Sequence, residues 1–338
     1  MSIPTLVELR PQLLSPGDVF ADPNLASGTI ELDSDGLPKA RSGTFASVFK
    51  VTTQQGDVAV RIPKYEDQSR VNRIRVIADY LAAHPVEGVV PVEVQPDGLS
   101  LGELSVSIQI MPWIKGRTLL EFVNDIHQDS RALIRLESKC CRLHQRMLAA
   151  QIAHGDLQHG NILIPPDGFP KVVDPDDFSV PGLPHDEAPS VGHPSYQHPR
   201  RTPHHFGPAI GNFAMRLIVL QLRIVASDSS LWMGCSSRPN PLDRDYLLLS
   251  ASDLASPEQS PMLGNLLTHK RRRIRDAATR IVRMLELDPV DSPLPTASDP
   301  KKPQSRWIEG IPSGAMGPRA RRAWMTRNLA ANSGEKPS

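Results

Sequence analysis

The segment Ile152-Ala-His-Gly-Asp-Leu-Gln-His-Gly-Asn-Ile-Leu-Ile164, with Lys171-Val-Val-Asp-Pro-Asp-Asp177 close behind it, concentrates small, polar and apolar residues in an order that few folds need. Asp156 and Asn161 lie five residues apart in a polar loop that contains Gly155 and Gly160, between apolar runs expected to pair as short strands. A second carboxylate, Asp174, follows the apolar pair Val172-Val173 at an expected strand end. Two carboxylates and an amide converging there offer hard oxygen ligands to Mg²⁺ and leave one carboxylate to orient a hydroxyl. That donor set suits phosphoryl transfer.

Outward from this loop the chain changes character twice. Thr44 to Pro63 reads as two strands, FASVFKV and DVAVRI, joined through QQGD, and Val89–Val94 and Leu104–Met111 read as further strands. Between them Arg70–Ala83 places Val71, Ile74, Ile77 or Ala78, and Leu81 at helical spacing. After Pro112 helices are expected at Leu119–His127, at Ser130–Gln151 with Leu133, Leu136, Cys140, Leu143 and Met147 inside, and at about 210–226 and 262–286. The layout is an irregular extension over 1–40, a β-rich lobe over 41–111, a mainly helical lobe over 112–288 and a basic, Pro-rich tail over 289–338 whose composition suits disorder.

Composition narrows the function classes. The 338 residues carry 39% hydrophobic residues, enough for a real core, and 33 prolines, about twice the usual share of ~5%. With 38 basic and 37 acidic residues, the chain is no polycation that binds nucleic acid by field alone. Cys140, Cys141 and Cys235 make no disulfide framework and no zinc spacing, which predicts a reducing cytoplasm. The N-terminus lacks the pattern of a signal peptide, and the apolar run Ala214–Ala226 is short and interrupted by Arg216 and Arg223, so a soluble protein with no membrane partner is expected.

The central segment resembles the catalytic loop and metal-binding segment of the protein kinase superfamily, and the resemblance extends from about Arg41 to about Trp232. His154, Asp156, Leu157 and Asn161 match H-x-D-L-x-x-x-N, and Asp174 falls on the aspartate of D-F-G. Gly192-His-Pro-Ser-Tyr-Gln-His-Pro199 looks like the turn that ends a kinase activation segment, and Ile110–Leu119 resembles the interlobe hinge. The resemblance implies a two-lobed α+β fold with a β-rich N-lobe and a mainly α C-lobe. It implies ATP and Mg²⁺ as cofactors and a protein substrate or regulatory partner. Asp156, Asn161 and Asp174 would be catalytic, with Asn161 and Asp174 holding the metal. Gly43, Val48, Ala59, Arg61, Met111, Trp113 and Leu163 would bind the nucleotide.

Several positions depart from the family pattern. Arg41 and Ala46 replace outer glycines of the Gly-rich loop, and Ala59-Val60-Arg61 puts an arginine at the phosphate-binding lysine, with Lys64 as a substitute cation. No glutamate occurs between Asp67 and Val86 to pair with it. Gly155 stands for the arginine of H-R-D, Gln158 for the lysine two after the aspartate, Pro175-Asp176 for the rest of D-F-G, and Arg200 for the glutamate that closes the activation segment. The chain is similar to a divergent bacterial protein-kinase-like group that shares a D-P-x-L extension, here Asp22-Pro-Asn-Leu25, and an A-V-R strand. The implied activity is a protein Ser/Thr kinase. The alternatives are a pseudokinase that binds nucleotide or a partner, and a small-molecule kinase.

Other conspicuous residues have plainer readings. His154 is expected to pack rather than react. His185, His193, His198, His204 and His205 lie in a Pro-broken loop without metal spacing and read as surface and packing residues. Lys270–Arg275, with Arg280 and Arg283, reads as a solvated helix face rather than a phosphate patch, and Arg319, Arg321, Arg322 and Arg327 near Trp324 as part of the tail.

Overall fold

The computed structural model describes residues 3–43, 45–65, 67–184, 188–234 and 240–297. Cys235, His185 and the tail from residue 298, including Trp324 and its neighbouring arginines, lie outside the described residues. The chain is a mixed α and β protein with antiparallel sheets, and it divides into two compact units. One comprises the residues up to Lys115 with Val180–Leu183; the other comprises Gly116–Ser179 and the described residues from Pro184 on. The division thus falls at 115/116 rather than 111/112.

In the first unit the 1–40 extension is not irregular. It folds as three short helices, α1 (Leu6–Gln12), α2 (Pro16–Val19) and α3 (Pro23–Ala26), and a strand, β1 (Thr29–Ile30). Such short helices carry no sustained period to read. The D-P-x-L motif explains α3: Asp22 accepts from the Asn24 and Leu25 amides, Pro23 starts the helix, and Leu25 enters the core. Then come β2 (Ala40–Ser42), β3 (Ala46–Thr53), β4 (Gly56–Pro63), helix α4 (Gln68–Ala83), β5 (Glu93–Leu101) and β6 (Leu104–Pro112). The sheet runs β1-β3-β4-β6-β5, with β2 also on β3. The expected hairpin is present with its turn at Gln54-Gln55, and Gly56 takes a φ of 124° that a side chain would resist. Val89–Val92 is not strand, as Pro91 has no N–H to give a ladder; β5 begins at Glu93 and bulges around Asp97.

The alternation of β3, β4 and β6 gives this sheet two faces. Phe49, Val51, Val60, Ile62, Val106 and Ile108 share one buried core with Leu9, Leu13, Phe20 and Leu25 of the extension. Val48, Lys50, Ala59, Arg61, Gln109 and Met111 take the other face, since Val48 stands opposite Arg61, Arg61 opposite Gln109, and Ala59 opposite Met111.

The second unit begins with β7 (Arg117–Thr118) and α5 (Leu119–Ile126), the latter started by a Thr118/Glu121 capping box. Helix α6 (Ser130–Ala149) buries the expected Leu133, Leu136, Cys140, Leu143 and Met147. Short strands β8 (Ala153–His154), β9 (Ile162–Ile164), β10 (Lys171–Val172) and β11 (Phe178–Ser179) follow; β9 lies between β10 and β7, and β8 pairs β11. Helix α7 (Asn212–Ser227) is buried along most of its length, and α8 (Ser230–Gly234) and α9 (Ala251–Ala255) lead to α10 (Pro261–Leu267) and α11 (Arg272–Glu286). The helix expected over 262–286 is therefore broken. The Thr268 hydroxyl bonds back to the Gly264 carbonyl, and the His269 ring accepts from the Arg271 amide, so side chains compete with the helical ladder there. On α11, Ile274, Ala277, Ala278 and Ile281 face inward; Lys270 and Arg271, which precede the helix, and Arg273 are exposed, while Arg272, Arg275, Arg280 and Arg283 are half-buried. Among the described residues no helix is long and apolar enough to cross a membrane.

Candidate functional site

Strand pairing fixes the ends of the central loop in the second unit. Phe178 opposite His154 and Val172 opposite Ile162 bring residues 152–164 and 171–179 together. His154 packs, as expected: it is buried, its Nδ1 accepts from the Asp156 amide at 3.1 Å, and its Nε2 therefore donates to the Val173 carbonyl at 3.0 Å. Burial lowers its pKa, which keeps the ring neutral.

Asp156 and Asn161 meet. Asn161 Nδ2 donates to the Asp156 carbonyl at 2.8 Å and to its Oδ2 at 3.2 Å, while Gln158 Nε2 donates to Oδ2 at 3.1 Å. The His193 amide donates to Asp156 Oδ1 at 2.6 Å. The carboxylate is thus oriented by three donors. Asp174 is tied in through the backbone, for the Val173 amide donates to the Asn161 carbonyl at 3.0 Å. Asp174 itself has a φ of 65°, an uncommon left-handed conformation for a residue with a side chain. Leu163 sits on β9, opposite Lys171.

Asn161 directs its amide nitrogen at Asp156, so the oxygen it presents to a cation is Oδ1. That oxygen and the Asp174 carboxylate are hard donors of the kind Mg²⁺ takes. Negative charge is concentrated nearby: burial first, then the neighbouring Asp156, Asp174 and Asp176, push the Asp177 carboxyl up to about 6. Among the described residues no group of three or more His, Cys, Asp and Glu side chains is arranged to hold a metal. His198 is buried, and His159 Nδ1 accepts from the buried Tyr196 hydroxyl at 2.8 Å, with burial lowering the His159 pKa to about 4.

The segment 188–201 packs directly on this loop. Gly192 has a φ of 71°, and a side chain there would stand 2.8 Å from the Gly155 carbonyl and 3.0 Å from Asp156 Oδ1, so only glycine fits. Ser190 Oγ donates to Asp177 Oδ1 at 2.9 Å and accepts from the Gly192 amide at 3.0 Å. Arg201, 8% exposed, donates to the Gly155 carbonyl, to Gln197 Oε1 at 2.7 Å and to the Ser190 carbonyl at 3.3 Å. Arg200 instead donates to the Glu286 and Leu287 carbonyls at the C-terminus of α11, where a cation is favoured. Asp177, Ser190, Gln197 and Arg201 were not among the residues singled out from the sequence. The available signals were the acidic run 174–177 and the Arg200-Arg201 pair after the last proline of the segment.

In the first unit, register brings Val48, Ala59, Arg61 and Met111 to the sheet face away from the core. Arg61 is 7% exposed and donates to Gln109 Oε1 at 3.0 Å. Gly43 lies in the β2–β3 turn, where its amide donates to the Ala46 carbonyl and its carbonyl accepts from the Lys64 ammonium. Trp113 is anchored rather than open: its amide donates to the Asp57 carbonyl at 3.0 Å, and the Arg41 guanidinium lies over its ring at 4.4 Å. On α4 the one carboxylate, Asp79, is exposed, and the Arg70 guanidinium lies 3.9 Å over the Phe45 ring.

No protein-family model matches the chain, and no curated protein matches its sequence.

Proposed function

We propose that this protein is an ATP- and Mg²⁺-dependent phosphotransferase of the protein-kinase type, with a two-lobed arrangement, acting on a Ser or Thr hydroxyl of a protein substrate. One observation carries the reading: a carboxylate, Asp156, oriented by Asn161, Gln158 and the His193 amide in a loop closed over a left-handed Asp174. Asp156 orients the acceptor hydroxyl and takes up its proton as the new bond to the γ-phosphorus forms and its bond to the bridging oxygen breaks, ADP leaving with that electron pair. Asn161 and Asp174 would hold Mg²⁺, which would supply positive charge to the phosphate oxygens. In the first unit Arg61 is a buried cation of the sign phosphates need, and Val48, Ala59 and Met111 on the same sheet face offer apolar surface to a base. Catalysis on this plan is positioning and charge stabilisation.

A second reading, a pseudokinase that binds nucleotide or a partner, is favoured by an α4 that carries no glutamate and by Asp174-Pro175-Asp176 in place of D-F-G. A small-molecule kinase, suggested by His154-Gly155-Asp156, ranks third because the 192–199 turn matches protein kinases.

Transfer of radiolabel from ATP with Mg²⁺ or Mn²⁺ to a broad protein panel separates these readings. The wild type should transfer label, and Asp156→Ala and Asp174→Ala should each transfer ~10²–10⁴-fold less. A wild type that binds nucleotide, yet transfers no more than the two variants, establishes the second reading in place of the first.

A further inference from the structure

Arg201 is a buried guanidinium in the middle of the second unit, and its contacts join two parts of the loop system. On one side it donates to the carbonyl of Gly155, the residue before Asp156. On the other it donates to Gln197 Oε1 and the Ser190 carbonyl, which bracket Gly192 and His193. Ser190 in turn holds the Gly192 amide, and the next amide, that of His193, reaches Asp156 Oδ1 at 2.6 Å. The absence of a side chain at 155 is part of the same arrangement. A Cβ there would stand 2.8 Å from the Asp177 carbonyl and 3.2 Å from Arg201 Nη2, in the space the guanidinium uses.

We infer that Arg201 is the positioning residue for the Asp156 carboxylate, and that it locks the 188–201 segment in place from within, with no added phosphate. The hydroxyl side chains of that segment are Ser190, Ser195 and Tyr196. Ser190 Oγ is engaged by Asp177 and Gly192, Ser195 is buried, and Tyr196 is buried with its hydroxyl on His159. A phosphate on Ser190 would break its contacts to Asp177 and Gly192 and face a carboxylate, and one on Ser195 or Tyr196 would have to enter a buried position. The cation that ties the segment down is already part of it.

The role in transfer rests on the phosphotransferase reading, but the coupling between Arg201 and Asp156 is measurable without activity. An amide that donates to a carboxylate at 2.6 Å should resonate far downfield, and selective ¹⁵N-histidine labelling of the full chain, with His193→Gln for assignment, isolates that signal. In Arg201→Met the His193 signal should move upfield and lose its exchange protection; Arg201→Lys should fall between, and guanidinium ion at millimolar concentration should restore it in Arg201→Ala. If Arg201→Met does not fold, Ser190→Ala should give the same upfield movement from the other end of the chain of contacts. Where transfer is detected, kcat should fall about 10²-fold in Arg201→Met with the KM for ATP unchanged. Phosphatase treatment of the wild type should change neither the signal nor the rate. A His193 amide indifferent to Arg201→Met or Ser190→Ala overturns the inference even if activity falls. A signal that collapses on phosphatase treatment overturns the claim of an internal lock. A wild type without transfer, but with the His193 shift dependent on Arg201, refutes the phosphotransferase reading and supports the positioning.

Discussion

Asp177 is buried beside three other carboxylates, and burial sets its pKa more than they do. With a folded pKa raised to about 6, the folded state binds the proton more tightly than the unfolded chain, whose carboxyl titrates near ~3.9. Stability from this group is therefore highest below about pH 4 and falls as pH rises to about 6, by about 3 kcal/mol in all. Asp177→Asn keeps an oxygen for Ser190 and removes the buried charge. In chelator-containing buffer the variant should be more stable than the wild type at neutral pH, by up to about 3 kcal/mol, with the advantage shrinking toward pH 4. Urea unfolding of both proteins across that range checks the slope, and a constant difference would sink the assignment. At this scale Asp156, Asn161 and His154 were legible because their signal is local, seven or fewer residues apart. Asp177, Ser190 and Arg201 were not, because their contacts cross 13 residues, from Ser190 to Asp177, and 46, from Arg201 to Gly155, with no period to mark them.

Helices α6 and α7 are joined by a buried ion pair as well as by apolar packing. Arg223 Nη2 donates to Glu137 Oε1 at 2.5 Å, with the Glu137 side chain 1% and the Arg223 side chain 12% exposed, and also to the Thr296 carbonyl at 2.8 Å. Removing one partner of such a pair leaves a charge in a poorly solvated place. Arg223→Ala should therefore cost about 3–5 kcal/mol in denaturant unfolding, whereas the double variant Glu137→Gln/Arg223→Met should cost much less. Equal losses in the two proteins would show that packing, not the pair, is what matters. Glu137 was readable in principle. It lies four residues after Leu133 and three before Cys140, on the stripe that α6 buries. Element type followed from periodicity for α4, α6, α7 and the β3–β4 hairpin, while the break between α10 and α11 and the late start of β5 depended on side-chain bonding and on Pro91.

At the scale of the whole molecule, the proline-rich N-terminal extension is part of a core and not an appendage. Ile3, Leu9, Leu13, Val19, Phe20, Leu25 and Ile30 supply about half of the buried cluster that covers Phe49, Val51, Val60, Ile62, Leu99, Leu101, Val106 and Ile108. A sequence reading misses this because helices of four to seven residues show less than two turns of pattern, and prolines at Pro16 and Pro23 mark helix starts as readily as loops. Without residues 1–40 the sheet of the first unit would expose a continuous apolar face, which soluble monomers rarely tolerate. The truncated chain should accumulate in the insoluble fraction, or bind a hydrophobic dye and unfold without a cooperative transition for the first unit. Leu13→Ala and Leu25→Ala test the same idea in the full-length chain. Each removes a fully packed leucine and should cost ~2–5 kcal/mol, a size that solvent-exposed leucines do not show. A truncated protein that stays monomeric and melts with the wild-type profile would mean that the sheet finds its cover elsewhere. The two leucine variants would then be expected to melt like the wild type as well, so the truncation and the substitutions must agree for the extension to count as core.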